Sequence, residues 1–369
     1  MEALTEMEKQ VLARLSENPF ATQQDLAEAL GIPRPTLATH ITQLTRKGYL
    51  LGRAYVLAKG DRIVCIGGCC IETRLITDRP IVPHASNPAA TRQTFGGLAR
   101  NVAEQIAKEG ECVSLISMVG DDYYGRSIIT HLSGLGVDTS IVAIRPAHRT
   151  ATYTAVIEGR ELSVGFSDME IFDSLTLDAM DRAFQQIASA TWVLADCNLP
   201  SAILQSLIDR RKTSRFQLAI AGVSPTKVQR LPSELAGVDA LFLRKAEAVA
   251  YLARPMTTAS LCRELVRRGA RMATVTAPDF TIYAATKKGR FVLPSNNRVF
   301  ADFGNENDKL VGVALCHLLR GADFQMALTA GMSAAAIHPL DANGAPSGSQ
   351  GNGDRSSPSI LEASFPVAS

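Results

Sequence analysis

The chain has 369 residues, of which 46% are hydrophobic and 20% charged, with a formal net charge of +2. That length exceeds one typical domain and allows a sizeable core, while the composition excludes a generally disordered chain. No run of about 18 uncharged apolar residues occurs, so no membrane span is expected.

The opening residues, MEALTEMEKQ, are acidic and helix-forming. They lack the basic region and apolar core of a secretory leader, so a cytoplasmic location is expected. Met7, Val11, Leu12 and Leu15 recur at helical spacing up to Asn18-Pro19. Thr22 caps a second, short helix through Ala27 and Leu30 that Gly31 stops. Pro33 suits the first turn of a third helix carrying Leu37, Ile41 and Leu44, which Gly48 ends, and Leu50 to Leu57 reads as a small β wing. This order is that of a winged helix-turn-helix, whose third helix enters the major groove of duplex DNA. From Gly31 to Gly60 the charged residues are Arg34, Arg46, Lys47, Arg53 and Lys59, with no Asp or Glu, so one face is set toward phosphates. The expected DNA contacts are Arg34, Thr36, Thr39, His40, Arg46, Lys47 and Arg53. A protein-interaction module with a solvated basic face stays open as the other reading of this segment.

After Gly60 the texture changes to short, apolar, β-branched runs alternating with amphipathic helices. The strand runs are RIVCIGG, CVSLISMVG, WVLADCN, FQLAIAG, ALFLR and MATVTA. Between them lie LARNVAEQIAKEG, RSIITHLSGLG, AILQSLIDRR and ASLCRELVRRG. The pattern predicts an α/β fold with a mostly parallel sheet covered by helices on both faces, and ligands at the carboxyl ends of the strands. TATYTAV, at 150–156, alternates and is expected in a small accessory β sheet. Gly96-Gly97 allows close approach of backbone to a ligand, with Asn101 one helical turn on. Asp308 falls at the start of a further apolar helix, VGVALCHLLRG, where unpaired backbone N–H groups attract anions. The seven cysteines are odd in number and lack CxxC or Cys/His ligand spacing, so reduced core thiols are expected and no metal site.

From about residue 62 to 338 the motifs GGLARNVAE, VGDDYYG, TATYTAVIEG, FSDMEIFDSLT and VLADCNLP resemble, in order and spacing, the ribokinase-like (PfkB) carbohydrate kinases. They look most like the pseudouridine kinase branch, some members of which carry an N-terminal winged helix-turn-helix. The resemblance implies domains at 1–59 (DNA-binding), 60–339 (kinase, with a small β lid) and 340–369 (a Gly/Ser/Pro-rich tail). It implies ATP and Mg2+ as cofactors, a nucleoside or sugar as substrate, duplex DNA as a partner and a homodimer. Asp308 matches the general base that takes the proton of the acceptor hydroxyl. Glu72, Gly96, Gly97 and Asn101 match the substrate side, and Asn305, Glu306, Asn307, Thr276 and Glu247 the anion hole and nucleotide side.

Several positions depart from the family pattern. The Gly-Ala-Gly of the anion hole reads Asn305-Glu306-Asn307, the substrate-gripping Asp is Glu72, and a nearby Asn is Cys70. The Asn-x-x-Glu that orders the magnesium water network reads Arg244-Lys245-Ala246-Glu247, Pro278 stands where a glycine approaches the nucleotide, and AGVS (221–224) lacks the usual Asp-Pro. Asparagine tolerates left-handed backbone, which would preserve the loop path. A Glu306 carboxylate about 4 Å from a phosphate would cost about 4 kcal/mol at an effective dielectric near 20, roughly three decades in rate or affinity. A solvent-facing Glu306 would cost little. Three readings follow: a nucleoside or sugar kinase slowed by its loop, a ligand-sensing transcriptional regulator built on a catalytically degenerate kinase fold, and a decayed paralogue whose folded domains bind nothing in particular.

Overall fold

The structure is a computed structural model and describes residues 4–18, 21–51, 61–159, 161–295 and 305–336. Helices α1 (Glu6–Glu17), α2 (Gln23–Leu30) and α3 (Arg34–Arg46) form the N-terminal unit. Their order follows the sequence reading, with Pro33 at the N-cap of α3 instead of in its first turn and the helix ending at Arg46, ahead of Gly48. Thr5 and Thr22 each close a capping box, and Gly31, at φ +64°, ends α2. Val11, Leu15, Leu26, Leu37, Ile41, Leu44 and Leu50 make one small core. The expected wing beyond Leu51, and with it Arg53, lies outside the described residues.

Lys47 corrects the sequence reading. Its ammonium is buried and donates to both Glu8 oxygens, at 2.9 and 3.0 Å. Glu8 is also the third helical residue of α1, where it accepts from the backbone of Thr5. Burial alone would raise the Glu8 carboxyl, but the bonds from Lys47 and Thr5 outweigh it and hold the group below its ordinary value. The basic charge at Lys47 therefore ties α3 to α1 and does not face DNA.

The large unit runs β1 (Ile63–Ile66), β2 (Cys70–Thr77), β3 (Ala90–Gly96), α4 (Leu98–Lys108), β4 (Val113–Gly120), α5 (Tyr123–Gly134), β5 (Val142–Arg145), β6 (Thr152–Glu158) and β7 (Glu161–Asp168). It continues through α6 (Leu177–Ser189), β8 (Trp192–Asp196), α7 (Ser201–Arg211), β9 (Gln217–Ala221), β10 (Ala240–Arg244), α8 (Lys245–Leu252), α9 (Thr258–Arg267), β11 (Met272–Thr276), β12 (Ile282–Thr286), β13 (Gly289–Leu293), α10 (Glu306–Leu319) and α11 (Phe324–Ala335). Nine strands form one sheet in the order β13-β12-β11-β10-β9-β8-β1-β4-β5. Neighbours are parallel except at β11-β12 and β12-β13. Alternation within β1 shows why both faces are covered: Ile63 and Cys65 pack with α4, α5, α10 and α11, while Val64 and Ile66 pack with α6 to α9.

A second, four-stranded sheet, β3-β2-β6-β7, is entered just after the carboxyl end of β1 and leads through β3 directly into α4. It contains the expected TATYTAV strand as β6 and three strands not anticipated. Of the seven cysteines, all free, six are buried as expected and Cys112 is exposed. No helix among the described residues is long and apolar enough to cross a membrane.

The two units touch where α3 ends. Gly48, at φ +79°, lies so close to the end of α6 that an added Cβ would sit 2.1 Å from the Ala188 carbonyl oxygen. The Arg215 guanidinium covers the Tyr49 ring at 4.5 Å and also donates to the Ser189 carbonyl at 2.6 Å.

Replacing Lys47 by Met leaves a carboxylate buried without its cation and should destabilise the N-terminal unit by about 3 kcal/mol. Adding Glu8→Gln should restore most of the loss. Hydrogen exchange of α1 and α3 amides reads both effects.

Candidate active site

The site is assembled where α4 and α10 begin, at the carboxyl ends of the central strands. β1 delivers Gly67 and Gly68 onto a buried carboxylate, Asp196, at the end of β8. Its Oδ2 accepts from Gly68 N at 2.7 Å and Ala99 N at 3.1 Å, and its Oδ1 from Asn198 N at 2.8 Å. Gly97, at φ +98°, is pressed against the same turn: an added Cβ would lie 2.5 Å from the Gly68 carbonyl oxygen. The paired glycines thus fix where α4 starts, and with it Asn101, whose N–H bonds to Gly97 O at 2.8 Å.

Asn101 reaches Asp308. Its Nδ2 donates to Asp308 Oδ2 at 2.8 Å, joining the first turns of α4 and α10. The amide cannot flip freely, because buried Arg100 donates to its Oδ1 at 2.6 Å and is itself ion-paired with Glu104. Asp308 is half-buried, and burial pushes its carboxyl up to about 7 from an ordinary 3.8. The Asn101 bond and the charge of Arg244 pull the other way, while Glu72 and Asp196 add to the rise. A carboxyl group poised near neutrality suits a general base.

Glu72 lies on β2 opposite Thr94 and beside Tyr153 of β6, with Arg74 Nη2 3.2 Å from its Oε1. Gly96 packs over it, an added Cβ meeting the Glu72 Cβ at 3.1 Å. On the other flank Thr276 closes β11, and its hydroxyl donates to Asn307 Oδ1 at 3.4 Å. The structure therefore gathers Glu72, Gly96, Gly97, Asn101, Thr276, Asn307 and Asp308 along one edge.

The loop that replaces the anion-hole glycines keeps the helix start by ordinary means. Asn305 is the N-cap at φ −96°, and Glu306, Asn307 and Asp308 already form the first turn of α10. The left-handed tolerance of asparagine is not used. Glu306 is buried and so does not face solvent. Pro278 sits exposed on the tight β11-β12 turn, closed by Ala277 N to Thr281 O at 2.9 Å.

The residues implied for magnesium do not fit the ion. Glu247 is buried, its Oε1 held by Arg244 Nε at 2.8 Å and Nη2 at 2.6 Å, its Oε2 by Arg244 N at 2.8 Å. Gly222 presses on the same carboxylate, an added Cβ falling 2.3 Å from Oε2. The negative charge is neutralised inside the chain.

A model of the pfkB family carbohydrate kinases matches residues 61–344, and a winged helix-turn-helix DNA-binding model matches residues 4–50. The chain belongs to the pfkB carbohydrate kinase family. It is 27% identical over 336 residues to "Uncharacterized sugar kinase YeiI" of Escherichia coli, covering 89% of this chain and 92% of that one. With the pseudouridine kinase of Escherichia coli it shares 28% identity over 189 residues, 51% of this chain and 60% of the relative. Among solved structures, a carbohydrate kinase from Agrobacterium tumefaciens superposes with a TM-score of 0.66 at 25% identity, over 78% of this chain and 93% of that chain. Arabidopsis thaliana ribokinase, complexed with ribose and ATP, superposes with a TM-score of 0.63 at 15% identity over 75% of this chain and 92% of that one. A pfkB kinase transfers phosphate from ATP to a sugar or nucleoside hydroxyl. In this member the fused winged helix-turn-helix exposes Arg34, Thr36, Thr39 and Arg46 on α3, with His40 half-buried.

Sequence reasoning missed Asp196, Arg100 and Tyr153. Only Asp196 leaves a signal, a carboxylate ending an apolar strand. The Arg100 contacts, to Asn101 and Glu104, are local but follow no recognisable pattern, and Tyr153 meets Glu72 only through the pairing of β6 with β2.

The raised pKa of Asp308 makes a signed prediction. A carboxyl that binds its proton more tightly folded than unfolded stabilises at low pH and loses that contribution as pH rises through about 7. Asp308→Asn should therefore raise the melting temperature most at pH 8, with the gain shrinking steadily toward pH 5 in thermal denaturation scans.

Proposed function

We propose that the chain is an ATP-dependent kinase of pseudouridine or a related nucleoside or sugar, fused to a duplex-DNA-binding domain and slowed by the side chains of its anion-hole loop. The observation that carries this reading is the Asn101–Asp308 hydrogen bond, which ties a carboxyl group that burial pushes up to about 7 to the helix that the paired glycines begin. In the reaction the substrate hydroxyl lies against Asp308. A bond forms between that oxygen and the γ-phosphorus of ATP, the bond to the β,γ-bridging oxygen breaks, the hydroxyl proton passes to Asp308 and ADP leaves. The N–H groups of Glu306, Asn307 and Asp308 at the start of α10 offset charge on the transferred group. Glu72 and Asn101 hold the polyhydroxylated acceptor, and Gly96-Gly97 lets it approach the backbone.

The proposed division is 1–59 for DNA binding, 60–339 for the kinase and 340–369 for a tail. The edge strand β7 exposes Leu162, Val164 and Phe166, which supports a homodimer paired through the lids.

The contact of Gly48 and Tyr49 with the kinase body favours a second reading, a regulator in which ligand in the crevice alters DNA affinity. Arg34, Thr36, Thr39, His40 and Arg46 are its proposed DNA contacts.

A coupled ADP-release assay with a panel of nucleosides and sugars tests the first reading. Asp308→Asn should lower kcat by about 10²- to 10⁴-fold, and Gly-Ala-Gly at 305–307 should raise it by up to roughly three decades. Turnover unchanged in Asp308→Asn removes Asp308 as the base. For the DNA domain, Arg34→Ala should weaken duplex binding and flatten its salt dependence by about one phosphate contact. Ligand that shifts duplex affinity with no ATP consumed favours the regulator.

A further inference from the structure

Of the two cations that begin α8, only Arg244 belongs to the site. Lys245 bears on Asp279, in the β11-β12 turn. Arg244 instead acts on the carboxyl of Asp308 and the phenol of Tyr153, lowering both, so its charge lies within reach of the acceptor and lid sides of the crevice. It is the last residue of β10 and stands in register with Thr276 on β11, whose hydroxyl reaches Asn307 in the first turn of α10.

The guanidinium is held by one edge and open at the other. Nε and Nη2 are bonded to Glu247, and Nη2 also donates to the Val223 carbonyl. Nη1 has no hydrogen-bond partner among the described residues, and the side chain is 52% exposed. Arginine stays charged at every relevant pH, and with Nε and Nη2 engaged the free Nη1 still presents two N–H donors to phosphate oxygens. Its presence also changes the local charge. A neutral residue beside Glu247 would leave a net charge of −1 at this corner, attracting a hydrated cation and repelling phosphate. With Arg244 paired to Glu247 the corner is neutral, and its exposed edge consists of donors. A hydrated magnesium ion gains little from such a corner, because the carboxylate that would hold its waters is already spent on the guanidinium.

We infer that Arg244 supplies in the chain itself the positive charge that magnesium would otherwise bring to this corner, so that nucleotide phosphates bind here without a divalent cation. This rests on the kinase reading of the same crevice.

The experiment is ADP binding by the full-length protein, measured by calorimetry in excess magnesium and in excess EDTA. Wild-type affinity should change by less than about threefold between the two conditions, whereas Arg244→Asn, which restores a neutral partner for Glu247, should lose about tenfold or more in EDTA and recover with magnesium. Arg244→Lys should keep binding in EDTA but more weakly, since it retains a charge but cannot both clasp Glu247 and keep the Nη1 donors turned outward. ADP binding by the wild-type chain that requires magnesium overturns the inference alone and leaves the kinase reading standing. So does an equal response to EDTA in wild type and Arg244→Asn. ADP binding by neither protein in either condition overturns both. Should Arg244→Asn melt prematurely because Glu247 is left buried without its cation, the wild-type comparison decides by itself.

Discussion

The hydrogen bond from Asn101 Nδ2 to Asp308 Oδ2 joins two helix starts, and the crevice keeps its shape only while both stay in place. On one side, α4 is fixed by buried Asp196, which binds the backbone of Gly68 and Ala99, and by the close seat of Gly97 on Gly68. On the other, α10 lies against α4 at Gly312, where an added Cβ would be 2.9 Å from the Gln105 Cβ. The two helices are thus locked below the site by small-residue packing and above it by one side-chain bond. A buried core of this kind has few alternative arrangements, because interiors packed to crystal density do not deform smoothly.

The charges around that bond explain its chemistry. Asp308 shares the crevice with Glu72 and, deeper, Asp196, both of which disfavour a further negative charge, while Arg244 favours it. Burial tips the balance and leaves the group near neutrality. Arg100 contributes by holding the Asn101 amide with its donor toward Asp308, at the cost of being buried beside Glu104 and having its own pKa brought down to about 10 by burial. The corner at Glu247 runs on the opposite principle. There a carboxylate is fully matched by one guanidinium, and only the outer edge of the cation is left for a ligand.

The central strands were legible because each is buried on both faces and reads as an unbroken apolar run, as in WVLAD and FQLAIA. The lid strands β2, β3 and β7 were not: β3 is largely polar and half-exposed, and β7, though Leu162, Val164 and Phe166 alternate along it, is exposed throughout and so has no buried face to mark it as a core strand. Asp308 could be placed from its position before an apolar helix, and Gly96-Gly97 from their spacing to Asn101. Lys47 shows the opposite case. Its charge fitted a basic DNA-facing surface when residues were counted along the chain, yet its partner Glu8 lies 39 residues away, and only packing of α3 on α1 brings the two together. Likewise the pairing of Arg244 with Glu247 has helical spacing and was visible as two residues, but its burial was not.

The route between crevice and DNA domain bears on which of the two readings needs more from the protein. β7 of the lid leads through a 3-10 turn, Glu170–Ser174, into α6, and the last turn of α6 receives Gly48. The backbone connection is short. Yet Ile171 and Phe172 in that turn are buried in the main core, so movement of the lid stops there unless the core itself repacks. For ligand to change DNA affinity it must bind two arrangements of this joint unequally. Gly48 packs directly on the Ala188 carbonyl, a seat that admits no side chain. The kinase reading asks only that Asp308, Asn101 and the start of α10 stay where they are, whereas the regulator reading asks a core-anchored turn to move.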